Sequence, residues 1–574
     1  MITTLPFESR EAYGSLYKRA VANFDRLERE DYDPGHLFKE SGYGWPGDWE
    51  GRTLLAWTLL ARSTRREPKY LAQAMGMLDE RTNEDGYFGT RHPAGTIDEQ
   101  QLAGHSWYLR ALCEYYDWKR DESVLDRIRA IVRNLLLPAA GHFALYPDRP
   151  EQRTIGGAAI GEVKDKVGAW YLSTDIGCAF IMLDGATHAY EMAPEPGLKS
   201  LIEEMIGKWM TIDPAAAFFQ THATLSAARG LLRFYESTGR KELLAKVEEL
   251  LLLYEERGMT DHYANYNWFG RPEWTECCAI VDSFMLAVGL WKHTGNSAHL
   301  DAAHHILYNG LGHGQRPNGG FGCDVCLGVK DGYLSPIEEM FEANWCCTMR
   351  GGEGLSRAIE YSYWVRDREI TLPFYETSAV TLALADGEIR LEQSSAYPIE
   401  GSVRLTVRSN TCREPIALRL YVPSWADSRS VSVRIDGSAV DADIRQGFAF
   451  VRHLFPSGTE LTFEFGIECR RESAFGFHTA VKGFSYRHGP LLLGVGTDGA
   501  GASLLGIGQT GASSAGLAER EMEPLGAGRY RIGGTEAVLS PINDLIELDE
   551  EAARRSRKLV LFKDSYREAP GPRT

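Results

Sequence analysis

Six of the ten cysteines fall between Cys277 and Cys347, as two adjacent pairs and a CxxC. The first pair lies in Trp274-Thr275-Glu276-Cys277-Cys278-Ala279 and the second in Ala343-Asn344-Trp345-Cys346-Cys347-Thr348. Neighbouring cysteines rarely bond to each other, and packing alone seldom calls for two in succession. Thiols grouped in this way, with the Glu276 carboxylate two residues before Cys278, have the chemistry of ligands for a borderline-soft divalent ion. Zinc fits best, because it accepts thiolate and carboxylate together in a tetrahedral site. A metal there would be either a staple or a means of keeping one sulfur deprotonated and nucleophilic. The other four cysteines, Cys113, Cys178, Cys412 and Cys469, read as ordinary small apolar fillers.

Spacing alone leaves the ligand set open. Cys323-Asp324-Val325-Cys326 is a familiar zinc half-site and could join Cys346 and Cys347. Glu276 with Cys278 is the rival half. Residues i and i+2 diverge on a helix, so this pair needs a helix N-terminus. The apolar pattern that begins at Cys277 supplies one, and its dipole favours both a carboxylate and a thiolate.

The elements that must carry these groups change character along the chain. Apolar residues recur at helical spacing in Gly51–Ser63, Tyr70–Arg81, Gln101–Trp118, Val124–Leu136 and Cys178–Met192. The pattern continues in Leu198–Met210, Thr224–Thr238, Lys241–Arg257, Cys277–Thr294 and Leu300–Leu311, with weaker segments at Arg10–Glu30 and Gly352–Trp364. About a dozen helices without a fixed-period repeat suit an α/α barrel better than an open solenoid. Near Leu372 the texture turns to short strands: Ala379–Ala385, Glu388–Gln393, Gly401–Arg408, Ile416–Tyr421, Val431–Ile435, Phe448–Val451 and Leu461–Phe465. These favour an antiparallel sandwich. A second β-rich unit follows, and the Gly/Ala/Ser-rich stretch Gly499–Gly516 reads as a loop. The expected division is a helical domain over 1–370, a β-sandwich over 371–473 and a further β-rich domain over 474–574.

Hydrophobic content of 44% with 25% charged residues is that of a globular protein. A net charge of -17 repels phosphate backbones and anionic lipid, so nucleic acid and membranes are poor partners. No stretch reaches the roughly 20 apolar residues of a membrane span, and the N-terminus lacks a basic start before an apolar run. A cytoplasmic location with reduced cysteines is the default expectation. Aromatic residues, 11% of the chain, serve either as core filling or as sugar-stacking surfaces. Trp268 and Trp345 flank the proposed ligands and are the stacking candidates.

Thr275-Glu276-Cys277-Cys278 with the later Cys346-Cys347 resembles glycoside hydrolase family 127 and its relative family 146, the β-L-arabinofuranosidases. Their motif is Glu-x-Cys followed some 70 residues on by Cys-Cys. His222-Ala223-Thr224 with Tyr235-Glu236-Ser237-Thr238-Gly239, Gly104-His105 and His488-Gly489-Pro490-Leu491 resemble further segments of the family, over roughly residues 40 to 500. The resemblance implies an (α/α)6 barrel followed by antiparallel β-sandwich domains. It also implies Zn2+ held by Glu276, Cys278, Cys346 and Cys347, with Cys346 as nucleophile. His105 and His222 become substrate-contact candidates, against a reading as satisfied core histidines.

The activity expected from that resemblance is hydrolysis of a terminal sugar with retention, β-L-arabinofuranose first. The partner is then a small oligosaccharide or glycoside. The oligomeric state is not given by the sequence; a homodimer is one option. The chain departs from the family where a glutamate acid/base should precede Glu-x-Cys: the segment from Gly258 to Trp268 contains none. Asp261 and Glu273 are the nearest carboxyls and the acid/base candidates. Two rival expectations are a barrel glycosidase with structural zinc and two carboxylates among Asp85, Asp98, Glu99 and Asp261, and a non-catalytic carbohydrate-binding relative.

Overall fold

The computed structural model describes residues 2–39, 44–153, 163–496 and 520–563, so Gly499–Gly516 lies outside the described residues. Helices form where the apolar spacing places them. Lys241–Arg257 and Cys277–Thr294 match the sequence reading at both ends, and Asp48–Thr64, Glu99–Lys119 and Thr221–Thr238 extend it by two or three residues at the N-terminal side. Six of them close a ring: Asp48–Thr64 packs on Glu99–Lys119, then Met182–Met192, Thr221–Thr238, Cys277–Thr294 and Cys347–Glu360, which returns to Asp48–Thr64. An outer layer, including Ser15–Leu27, Leu198–Trp209 and Lys241–Arg257, leans on this ring. The expected (α/α)6 barrel is therefore present.

Composition explains which helices go inside. Asp48–Thr64 and Cys277–Thr294 are buried almost all round, whereas Lys241–Arg257 buries only the stripe Leu243, Val247, Leu250, Leu251 and Tyr254. The inner helices approach closely at small residues. A Cβ on Gly230 would stand 2.5 Å from the carbonyl carbon of Leu183, and one on Gly185 would stand 2.6 Å from the Cα of Ser106.

Behind the barrel lie two sheets. One runs Thr3–Thr4, Trp364–Arg366, Glu369–Leu372, Ile416–Tyr421, Phe448–His453 and Asp443–Arg445. The other runs Ser438–Val440, Asp427–Ile435, Glu460–Gly466, Ser402–Asn410, Gly387–Ser395, Ser378–Leu384 and Arg10–Ala12. Val403, Leu405 and Val407 alternate inward with exposed or half-buried neighbours, as a sandwich requires. The pairs are antiparallel except Glu369–Leu372 with Ile416–Tyr421, which are parallel. A third sheet gathers Cys469–Ser473, Gly483–His488, Leu491–Gly496 and later strands, and reaches Tyr333–Leu334 of the helical region. Hydrogen bonding thus crosses both sequence-based boundaries, since residues 3–12 join the sandwich and Cys469–Ser473 joins the third sheet.

Overpacking a close helix contact costs about 1–3 kcal/mol. Gly230→Ala, at the contact with Leu183, is accordingly expected to lower the thermal unfolding midpoint seen by calorimetry, and an unchanged midpoint would contradict the close packing of the inner ring.

Candidate metal and active site

One cavity collects the first turns of the inner helices. It is lined by Asp48 and Arg52, by Ile181 just before Met182–Met192, by Gln220 and His222, by Glu276, and by Cys346 and Cys347. Each stands at or near the N-terminal end of its own helix. Trp45, Trp274, Trp345, Asp175, Asn267 and Cys323 complete much of the wall.

At the cavity wall the sulfurs of Cys346 and Cys347 come within 4.8 Å of each other and of the sulfur of the buried Cys278. Cys346 and Cys347 are 3.5 Å apart at sulfur. Cys278 stands far from the adjacent Cys346 and Cys347 in order, and the ring of helices brings it to them. Cys346 is the N-cap of Cys347–Glu360, and Glu276 is the N-cap of Cys277–Thr294. Glu276 has extended backbone, φ -138° and ψ 119°, so its side chain escapes the divergence of i and i+2 on a helix. Glu276 belongs to a second group with Cys278 and His222, again within 4.8 Å. Cys278 is the shared member.

The surroundings suit anionic donors. Arg52 donates through Nη1 to Cys278 Sγ at 3.2 Å while its Nε contacts both oxygens of Asp48 at 2.8 and 2.9 Å. Gln220 Nε2 lies 3.5 Å from Glu276 Oε2. The Asn267 amide, oriented to satisfy its neighbours, donates to Glu276 Oε2 at 2.5 Å and accepts from Trp274 Nε1 at 3.1 Å. His222 Nδ1 is 3.5 Å from Glu276, and its Nε2 is 3.6 Å from Asp282. The His222 ring stacks on Trp107 with centroids 5.6 Å apart.

Charge explains the protonation states without a cation. Burial, with the neighbouring Asp175 carboxylate, pushes Glu276 up to about 8. Burial pushes the Cys278 thiol far above its ordinary value. For Cys346 the contact with Cys278 lowers the thiol, but Cys347 and burial prevail and it too rises well above the ordinary value. Three crowded thiols and a carboxyl that resist ionisation in this way form a donor set that a divalent cation would relieve. The donor chemistry fits zinc: sulfur from Cys278, Cys346 and Cys347, and oxygen from Glu276.

Below the cavity the barrel axis is filled with ion pairs. Arg229 Nη1 meets Asp282 at 2.7 Å, Arg110 Nε meets Asp184 at 3.0 Å, and Arg350 pairs with Asp282 and Glu353. Burial would raise Asp282, but Arg350 and Arg229 hold its carboxyl below the ordinary range. Burial drives the His222 imidazole well below its usual value, so it is neutral between Glu276 and Asp282.

Several expected residues are not in this cavity. The Asp261 carboxylate accepts from the backbone N–H groups of Phe475 at 2.6 Å and Gly476 at 3.0 Å, and from the Thr479 hydroxyl. It anchors the segment that holds Phe475, Gly476 and Thr479, outside the cavity lining. Glu273 is paired with Arg271 at 2.6 Å, with its side chain 43% exposed. His105 accepts from the Phe88 N–H at 3.0 Å and lies 2.7 Å from the Gln101 carbonyl, which makes it a satisfied core histidine. Trp268 stands behind the wall, donating to Asp175 at 3.0 Å and packing edge-on to Trp274. Asp85 and Asp98 line a separate cavity, where Asp85 pairs with Arg91 and Asp98 caps Glu99–Lys119, while Glu99 is buried against Arg153, so none of the carboxylates of the two-carboxylate alternative stands in the cysteine cavity. Cys323 reaches the cavity, but Cys326 faces the Asn265 carbonyl at 3.9 Å. Sequence reasoning missed Arg52, Asp175, Gln220 and Asn267, whose types are common and whose convergence only the ring creates.

Residues 369–467, the sandwich, match the family description "Beta-L-arabinofuranosidase, GH127 middle domain". The whole fold is similar to that of a GH127 β-arabinofuranosidase, with 14% identity, a TM-score of 0.70 and 98% of each chain covered. The fold is therefore like that of the GH127 enzymes, and the sandwich matches that family's middle domain. A GH127 β-L-arabinofuranosidase from Geobacillus stearothermophilus T6 gives 14% identity and a TM-score of 0.65, covering 97% of this chain and 100% of its own. A search against curated proteins finds no match. Among the described residues, no helix is long and apolar enough to cross a membrane.

Losing a charged acceptor that satisfies backbone donors costs about 1–3 kcal/mol. Asp261→Ala should therefore lower the melting temperature and speed proteolytic cleavage near residues 475–479. Protection equal to the parent chain would refute the anchoring role.

Proposed function

We propose that this chain is a retaining glycoside hydrolase that removes a terminal sugar, β-L-arabinofuranose being the first substrate to test, with Cys346 as nucleophile. The observation that carries this reading is the meeting of Cys278, Cys346 and Cys347 at helix N-termini, with Cys346 and Cys347 lining one cavity. The GH127-like fold and the activity of the similar enzymes support the substrate class.

Glu276, Cys278, Cys346 and Cys347 would hold Zn2+. When bound, the ion keeps the sulfurs deprotonated at neutral pH and so supplies a thiolate. Arg52 holds Cys278 in place while fixed itself by Asp48. Gln220 and Asn267 orient the Glu276 carboxylate. Trp345, Trp45 and Trp274 offer apolar faces to a sugar ring along the cavity wall. His222 is neutral and buried beside Glu276, so it can orient Glu276 or meet a sugar hydroxyl without bringing positive charge.

In the reaction the Cys346 sulfur attacks the anomeric carbon as the bond to the leaving oxygen breaks, giving a glycosyl thioether. Water then attacks the same carbon, the carbon–sulfur bond breaks, and two inversions give net retention. The sulfur stands where most retaining glycosidases place a carboxylate.

Cys346→Ser should reduce hydrolysis of a nitrophenyl β-L-arabinofuranoside by roughly 10³-fold or more while the far-ultraviolet circular dichroism stays unchanged. Full activity in that variant would discard the nucleophile. Elemental analysis of the parent protein is expected to find zinc at about one ion per chain, falling sharply in Cys278→Ser and Cys347→Ser; a parent protein free of zinc would remove the metal from the reading.

A further inference from the structure

A thioether mechanism still needs a proton donor for the leaving oxygen and a base for the incoming water. The segment from Gly258 to Trp268 contains no glutamate, and Asp261 and Glu273 are engaged elsewhere. Among the described residues lining the cavity, three bear carboxyl groups: Asp48, Asp175 and Glu276. Glu276 groups with Cys278 and His222 and is assigned to the metal in the reading above. Asp48 has both oxygens engaged by the Arg52 guanidinium. Asp175 remains.

Asp175 sits in the turn between the strand Trp170–Ser173 and the helical turn Cys178–Ile181. This turn is rigidly built. The Asp175 N–H donates to Ser173 Oγ at 3.1 Å, the Asp175 carbonyl accepts from Cys178 Sγ at 3.0 Å, and Gly177 N–H donates to the Tyr146 hydroxyl at 3.0 Å. One carboxyl oxygen, Oδ1, accepts from Trp268 Nε1 at 3.0 Å. The side chain is 2% exposed and belongs to the cavity wall.

We propose that Asp175 is the general acid/base of this site, supplied from a different loop than the one in which the family glutamate was sought. This inference rests on the glycosidase reading above. In the first step the Asp175 carboxyl gives its proton to the departing glycosidic oxygen while Cys346 sulfur bonds to the anomeric carbon. In the second step the Asp175 carboxylate takes a proton from water, whose oxygen replaces sulfur on that carbon. The starting protonation states are restored and no other reactant is consumed. Trp268 acts as a positioning residue, holding Oδ1 through its indole N–H. Burial, opposed in part by the Trp268 hydrogen bond, raises the Asp175 carboxyl to about 6, a value suited to both giving and taking a proton near neutrality.

The test compares the parent chain with Asp175→Asn and Asp175→Ala on a nitrophenyl and a methyl β-L-arabinofuranoside, with and without sodium azide. Nitrophenolate leaves without help, so the variants should keep a burst of nitrophenol release but turn over slowly. On the methyl glycoside they should lose roughly 10²-fold or more. Azide needs no base to attack the thioether, so it should restore turnover of the nitrophenyl glycoside and give a glycosyl azide of retained configuration. Asp175→Glu should recover part of the methyl glycoside activity. Equal losses on both substrates with no azide rescue would mean that Asp175 only packs the wall, and would overturn the proposal. So would undiminished hydrolysis of the methyl glycoside by Asp175→Asn. A parent chain inactive on every glycoside, or an active Cys346→Ser, would instead overturn the glycosidase reading itself.

Discussion

Five helix N-termini that, among the described residues, point at one cavity are the constraint on which this molecule depends. In an α/α barrel the inner helices all run the same way, because each returns through an outer helix. Their positive dipole ends therefore converge, and Asp48, Gln220, Glu276 and Cys346 stand at those ends. A cluster of soft anionic donors would be costly to bury almost anywhere else in the chain. Here the helix ends and the Arg52 guanidinium favour the charged form of the same sulfurs, as a bound divalent ion would.

The ion pairs beneath the cavity follow from the same geometry. Fully buried inner helices leave a polar axis, and the residues facing it are Arg110, Asp184, Arg229, Asp282, Arg350 and Glu353. Buried ion pairs contribute little net stability once desolvation is counted. Their effect here is positional: Asp282 stays ionised below His222, and His222 stays neutral below Glu276. The floor of the cavity is thereby set by side chains that have few alternative arrangements.

The two β-rich parts act on the site from behind. Asp261 and Tyr263, in the loop that leads to Glu276, are gripped by Phe475, Gly476, Thr479 and Arg487 of the third domain. The carboxyl nearest the expected catalytic position has thus become a docking group. With that loop committed to residues 475–487, the cavity carboxyl proposed for proton transfer is Asp175, which precedes the loop in sequence.

Much of the fold was legible in the amino-acid order. Helical spacing in Lys241–Arg257 and Cys277–Thr294 and strand alternation in Ser402–Asn410 follow from local burial, which sequence periodicity records directly. The paired cysteines announced a donor cluster because no packing need accounts for them. What the order of residues could not disclose is which members of that cluster meet. Cys278 and Cys346 come together because the helix ending at Thr294 and the helix starting at Cys347 are neighbours in a closed ring, and Cys323 and Cys326 part because one faces the cavity and the other a backbone carbonyl. His105, Asp261 and Glu273 have the right chemistry in the wrong place, and Asp175 has it without any motif. Residue type states what a side chain can do, while only the closure of the helical ring decides what stands within reach of it.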